Sequence, residues 1–568
     1  MPQPVKSTPT KTATPSGKES AAPKNSALWV GIGILFSRVA GLIRERVFAH
    51  YFGNSMAAGA FKAAIRIPNF LQNLFGEGVL SASFIPVYSR LLAEGENELA
   101  GRVAGIVASM LALVVSGLVL IGVLLTPILG DLIVAPGFHG EQKALTIFLV
   151  QIMFPGAGVL VLSAWCLGIL NSHRMFFISY VAPVFWNLLM IGTMLVFGGH
   201  QDHSTLAVTL AWGSVAGAML QFVVQLPFIF LKKHTDGRPI GAEIVFAINI
   251  VLRPVRDIFS SFGTIVISRG VVQLSAYLDG IIASYLGSIA VSSLSYAQTI
   301  YLLPISLFGM SVAAAELPEM SRSTGTQDEI YAKLRARLIA GQRTIAFYII
   351  PTVAGFLLLG KFIVAGLFQT GDFGRQDTLY AWYILMGSTV GLLAATWGRL
   401  YSSAFYALKD TKTPLRYAIV RVTLTVVLGL LFAFPLRSIL NTVLLKTLHL
   451  PEPNLPDIEL GLGAVGLTLS AGIAGWIEFL LLRRAMQSRI GSTALPGSLT
   501  PRIWGAALFA GFGGLAVSRF VHATPHWFSL AEILAVFGVI YGVITWLMGI
   551  AEAQALIRKF SKLARIRR

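Results

Sequence analysis

Long apolar stretches, each broken by only a few polar residues, recur along nearly the whole chain. A helix of about 20 apolar residues spans roughly 30 Å of hydrocarbon, so each stretch predicts a membrane-crossing helix. Fourteen are expected: 27–50, 57–87, 103–129, 145–170, 177–198, 205–231, 258–286, 290–317, 344–368, 378–407, 415–436, 459–482, 503–521 and 528–551. Several exceed what a bilayer needs, which predicts tilt or extension into water. The expected fold class is all-α, a polytopic membrane protein of about 14 transmembrane helices.

The second run breaks the apolar pattern in a regular way. In KAAIRIPNFLQNLFGE (62–77) the polar groups are Lys62, Arg66, Asn69, Asn73 and Glu77. On one continuous helix they fall within an arc of about 80°. Such a stripe lines a cavity or forms a buried polar network.

Composition supports the membrane reading: of 568 residues, 55% are hydrophobic and 12% charged, and the mean hydropathy is +0.72. Residues 1–26, rich in Pro, Ser, Thr and Lys, cannot bury a core and read as a disordered cytoplasmic tail without a secretory signal pattern. With the N-terminus inside, about 30 Lys/Arg lie on the cytoplasmic side and about 6 outside, so both termini are expected in the cytoplasm, the C-terminal one as a basic tail, 552–568. The net charge of +18 is therefore mostly topological, with attraction to anionic membrane lipids beside it. Basic residues scattered along loop edges do not form a nucleic-acid surface.

Eight cations remain at membrane depth: Arg38, Arg44, Arg46, Lys62, Arg66, Arg269, Arg399 and Arg421. The acids there are Glu45, Glu77, Asp279 and Glu478, so the interior is positive on balance. Charges at that depth are costly and functional by default, and a positive cavity suits an anion. The structural alternative is ion pairing of Arg38 and Arg44 with Glu45 or Glu77; Arg44 and Arg46 can also snorkel to the outer interface. Asp279 is either a cation ligand or the partner of Arg269, ten residues and ~15 Å along the helix. Asp410 and Thr413-Pro414 predict a helix-entry turn. The single cysteine, Cys166, excludes an intrachain disulfide; the histidines lack metal-ligand spacing, and no nucleotide-binding loop occurs, so an enzyme is not expected.

The chain also repeats itself. Ser37-Arg38 and Ser268-Arg269 stand 231 residues apart, while Ser89-Arg90 and Ser321-Arg322, and Pro86 and Pro318, stand 232 apart. Six spans separate the copies, so the halves, 27–231 and 258–482, share one orientation in the membrane. Parallel repeats of this kind hold substrate between them near the midplane. Spans 13 and 14, 503–551, lie outside the duplication.

FSRVAGLIRERVFAHYFG (36–53) and RIPNFLQNLFGEGVLSASFIPVYSR (66–90) resemble the opening of the MurJ/MviN family of lipid II flippases. So do GILNSHRMF (168–176), APVFWN (182–187), the segment Tyr296–Pro318 and AFYALKDTKTPLRYAI (404–419). The resemblance runs from about residue 30 to 550. It implies two six-helix lobes in a V that alternates between inward- and outward-open states. Undecaprenyl-diphosphate-linked disaccharide-pentapeptide would then cross the plasma membrane for peptidoglycan synthesis. It further implies that cavity arginines bind the diphosphate and that spans 13 and 14 form a groove for the prenyl tail. Arg38 and Arg44 match two family arginines, Arg66 the basic residue of a [KR]-hydrophobic-Pro-Asn motif, and Glu77 its Glu-Gly. Asp279 falls where some members carry an acid linked to sodium. This sequence departs from the pattern at Gly59, where the family commonly has aspartate, and at Gln72 and Thr299, where many members have arginine; Leu302 replaces an acid. Lys62, Arg269 or Arg399 would compensate for the missing cations.

The expected function is thus a lipid II flippase of the bacterial plasma membrane without an organic cofactor, coupled to a sodium ion or the membrane potential. The expected substrate contacts are Arg38, Arg44, Lys62, Arg66, Gln72, Glu77, Arg269 and Thr299. Partners would be lipid II, membrane lipids and the division or elongation machinery. Rival readings are a flippase for another polyprenyl-diphosphate-linked oligosaccharide, a cation-coupled exporter of the related MATE type, and a non-transporting scaffold of the division machinery. A scaffold would not need buried arginines, and a positive cavity disfavours cation export.

Overall fold

The computed structural model describes residues 24–231, 239–249, 252–313, 316, 320, 326–447, 449–454, 462–520 and 526–566. Among the described residues there is no strand; an isolated bridge, Thr370 to Phe373, closes a turn. The first described helix is α1 (Lys24–Phe52). Three short helices follow, α2 (Met56–Ala64), α3 (Arg66–Phe75) and α4 (Glu77–Ala93). Next come α5 (Asn97–Leu129), α6 (Gly140–Ser172), α7 (Phe176–Phe197) and α8 (His203–Phe230).

The second half begins with α9 (Arg253–Ser284) and α10 (Ser288–Pro304). Two bent pairs follow: α11 (Gln327–Leu358) with α12 (Gly360–Phe368), turned by 81°, and α13 (Arg375–Thr389) with α14 (Leu392–Ala407), turned by 42°. After α15 (Lys412–Ala433), the short α16 (Arg437–Asn441) and α17 (Gly463–Ile490), the chain ends in α18 (Leu499–Ser518), α19 (His526–Leu547) and α20 (Ala551–Ile566).

Eight of these helices are long and apolar enough to cross a membrane, and ten if each bent pair counts as one span. The all-helical membrane class stands; of the fourteen predicted runs, 27–50, 57–87, 258–286 and 503–521 are not among these spans. Their faces show the solvent: Leu113, Leu120, Leu124, Ile128 and Leu132 of α5 and its extension are all exposed along one side. Glycines let helices close up, as where Gly33 of α1 meets Tyr180 of α7 and Gly217 of α8 meets Trp186.

The second run corrects one expectation. It is not a continuous helix but α2, α3 and α4 in series, so Lys62, then Arg66, Asn69 and Asn73, then Glu77 are divided among three helices rather than carried on one. Pro68 explains the first break: its ring excludes the carbonyl four residues back, Ala64, where α2 ends. At the second break Gly76 takes φ −91° and ψ −131°, with its amide still bonded to the Gln72 carbonyl.

Helix partners recur between the halves. In the first, α6 and α7 both pack on α8, and α5 packs on α6. In the second, α13, α14 and α15 pack on α17, and α11 packs on α14. One pairing departs: α1 lies along α7, whereas α9 barely meets α15. Contacts also run across, from α2 to α10 and from α3 and α4 to α9. The repeat landmarks Pro318 and Ser321-Arg322 lie outside the described residues.

Candidate substrate cavity

Where α1, α2 and α10 approach each other they enclose a cavity of about 180 Å³. Its charged wall comes from consecutive residues of α1 and one of α2. Glu45, 6% exposed, accepts from Arg44 Nη2 at 2.7 Å and from Lys62 Nζ, itself 5% exposed. Two cations thus share one carboxylate, and the wall keeps a positive charge. Aromatic faces hold both: Arg44 lies 4.9 Å from the Trp186 ring centroid, and Lys62 Nζ 4.2 Å from that of Phe48 and 5.3 Å from that of Tyr296. Such contacts are worth ~0.5–2 kcal/mol each. The rings are themselves anchored, since Trp186 Nε1 donates to the Ser214 carbonyl at 3.1 Å and Tyr296 Oη to the Gly53 carbonyl at 2.9 Å.

The opposite wall is neutral and polar. Asn69 of α3 and Ser295, Gln298 and Thr299 of α10 face the cavity, with Leu302 beside them. Thr299 donates to the Ser295 carbonyl at 3.0 Å, one helical turn back. Gly59 is what brings α10 so near: a β-carbon there would stand 2.6 Å from that of Ser288. An aspartate has no room at this position, and the same close approach sets Lys62 against Tyr296.

The expected contacts therefore separate. Arg44, Lys62 and Thr299 converge on the cavity. Arg66 and Gln72, both partly buried, do not line it. The Arg66 guanidinium packs on Gly280 of α9, and its carbonyl accepts from Tyr277 Oη. Asp279 lies within electrostatic reach of Arg66 and of Arg421. Arg38 is exposed and makes no ion pair among the described residues. The side chains of Glu77 and Arg269 lie outside the described residues. Arg421 Nε stands 3.2 Å from Glu478 Oε2.

At one end of the cavity a polar cluster joins the α1–α2 turn to the α12–α13 turn. Asn54 donates to Asp377 at 2.9 Å and accepts from Ser292 at 2.7 Å. His50 Nδ1 meets Thr370 Oγ1 at 2.9 Å, the Asp372 amide donates to the His50 carbonyl at 2.9 Å, and His203 Nε2 meets Asp372 Oδ2 at 2.8 Å. Arg46 donates to the carbonyls of Gly366 and Leu367 at 2.6 and 2.8 Å, closing the C-terminus of α12 rather than reaching for lipid headgroups. Sequence reasoning weighed Glu45 only as a bland partner and missed Trp186, Tyr296 and this cluster. Partners some 320 residues apart leave no local signal.

The family model described as lipid II flippase MurJ matches residues 48–440, a stretch that contains the cavity lining apart from Arg44 and Glu45. The chain belongs to the MurJ family of lipid II flippases. Among its MurJ relatives, the probable lipid II flippase of Rhizobium meliloti (strain 1021) is 30% identical over 80% of this chain and 78% of its own length. A lipid II flippase MurJ solved in an inward closed conformation shares the fold with a TM-score of 0.70 at 24% identity, over 92% of this chain and 98% of that one. An inward-facing multidrug resistance MATE family transporter of the MOP superfamily follows at 0.60 and 17% identity, over 83% of this chain and 100% of that one. MurJ is a transporter family, not a family of catalytic enzymes.

Proposed function

We propose that this protein carries lipid II from the inner to the outer leaflet of the bacterial plasma membrane by alternating access. The observation that carries this reading is the cavity wall in which Arg44 and Lys62 share Glu45. A wall with one unbalanced cation is complementary to a diphosphate, which can compete with Glu45 for both groups. Arginine offers a planar fork for the phosphate oxygens, and lysine a point charge. The polar wall of Asn69, Gln298 and Thr299 supplies hydrogen bonds toward the sugar end. The headgroup then crosses between two six-helix lobes, 27–231 and 258–482, while the prenyl tail stays in lipid beside α18 and α19. The recurring helix partners support that division, and the excess of Lys/Arg supports cytoplasmic termini. Arg38, Arg66, Gln72, Glu77 and Arg269 take part as the lobes move, and Asp279 is where a coupling sodium ion would act.

The test is complementation of a conditional flippase-depleted strain, with externalised lipid II measured directly. Wild type should restore externalisation. Arg44→Ala should lose it at normal expression and thermal stability, and Arg44→Lys should recover only part. Growth without externalised lipid II, or rescue of a strain lacking another polyprenyl-diphosphate oligosaccharide flippase, would overturn the assignment.

A further inference from the structure

A second cavity, of about 210 Å³, shares no lining residue with the first and lies between the start of α18, the α19–α20 turn and the flank of α11. Its wall includes Arg343, Ser498, Arg502, Met548, Gly549 and Ile550. Two guanidinium groups therefore share it. Arg343 Nε stands 3.2 Å from Glu552 Oε1, whereas Arg502, exposed in the first turn of α18, makes no ion pair among the described residues. One carboxylate against two arginines leaves the cavity positive, and its volume holds a phosphate group with several waters, each of which takes ~30 Å³.

The depth of the cavity says what kind of phosphate. Trp546 and Leu547, 48% and 70% exposed, end the apolar α19 immediately before it. Immediately after it begins α20, which carries Leu556 and Ile557 together with Arg558, Lys559, Lys562 and Arg565. An exposed tryptophan followed by a basic amphipathic helix marks the level where hydrocarbon gives way to headgroups. We propose that this cavity is a binding site for the phosphate group of an anionic membrane lipid, with Arg502 and Arg343 as its ligands. An occupied site would tie α20 and the α18–α19 pair to α11. The same chemistry fits an anionic phospholipid and the diphosphate of a polyprenyl lipid whose tail runs beside α18 and α19. The inference rests on the membrane reading and not on which substrate is flipped.

The experiment uses the full chain in detergent. Retained lipid is counted by native mass spectrometry after addition of phosphatidylglycerol, phosphatidylcholine or undecaprenyl diphosphate. Wild type should retain phosphatidylglycerol or undecaprenyl diphosphate in preference to phosphatidylcholine, and the preferred one identifies the source. Arg502→Gln should weaken that retention about tenfold, the loss expected for one charge-assisted contact, with unchanged thermal unfolding. Arg519→Gln, at the other end of α18 and also exposed, should change nothing. Equal retention by wild type and Arg502→Gln, equal losses in both variants, or no preference over phosphatidylcholine would each overturn the site. No arm depends on transport, so failure here leaves the flippase assignment standing.

Discussion

Glu45 is the residue on which the first cavity turns, because among the described residues it alone forms ion pairs with Arg44 and Lys62. Removing one partner of a buried ion pair strands the other and costs ~3–5 kcal/mol. Glu45→Ala should therefore lower the unfolding temperature well below that of wild type, and added diphosphate lipid should recover part of the loss; thermal unfolding with and without lipid checks both. Lys62→Ala should impair flipping, and the position of a rescuing arginine follows from the cavity. Thr299 lines the same wall and Gln72 does not, so Thr299→Arg should restore transport in Lys62→Ala while Gln72→Arg should not. Gly59 matters by its absence of a side chain. A β-carbon 2.6 Å from that of Ser288 forces α2 from α10, so Gly59→Ala should destabilise by ~1–3 kcal/mol, measured by the same unfolding assay.

Among the elements, α15 shows how a short signal sets a helix start. The Asp410 carboxylate accepts from the Lys412 and Thr413 amides at 3.1 and 3.0 Å and from Thr413 Oγ1 at 2.7 Å. The Thr413 hydroxyl, then its amide and the Arg489 guanidinium, hold the carboxyl at about 2, below the ordinary value near 3.9. A depressed value means that the carboxylate stabilises the fold fully above about pH 4, and that this contribution fades as pH falls toward 2. Asp410→Ala should cost ~1 kcal/mol at neutral pH, a typical cap, and the difference from wild type should vanish on acidification. This turn was readable in Asp410 and Thr413-Pro414, since a cap is local. The break at Pro68 was readable by the same logic, yet the polar periodicity across 62–77 concealed it.

For the whole molecule the decisive feature is the polar cluster between the α1–α2 and α12–α13 turns. The partly exposed His203 and the exposed Asp372 meet there at 2.8 Å, and opening that end must separate them. His203→Cys with Asp372→Cys, joined by a short bifunctional methanethiosulfonate, should stop lipid II externalisation, and a reductant should restore it. Cys166 is buried and leaves the background clean. Unimpaired transport by the cross-linked protein would show that this end does not open. The sequence by itself determined the helical membrane class and the family, and it raised the expectation of a parallel duplication and of an excess of cations over acids at membrane depth. These are properties of runs, counts and motifs, which survive without knowledge of what touches what. Tertiary structure alone decided that Lys62 pairs with Glu45, that Arg66 packs on α9 rather than lining the cavity, and that Thr299 rather than Gln72 lines it. The reason is physical: a charge inside a membrane protein takes its partner from whichever helix the packing of small residues brings within 3 Å, and that helix can be hundreds of residues away.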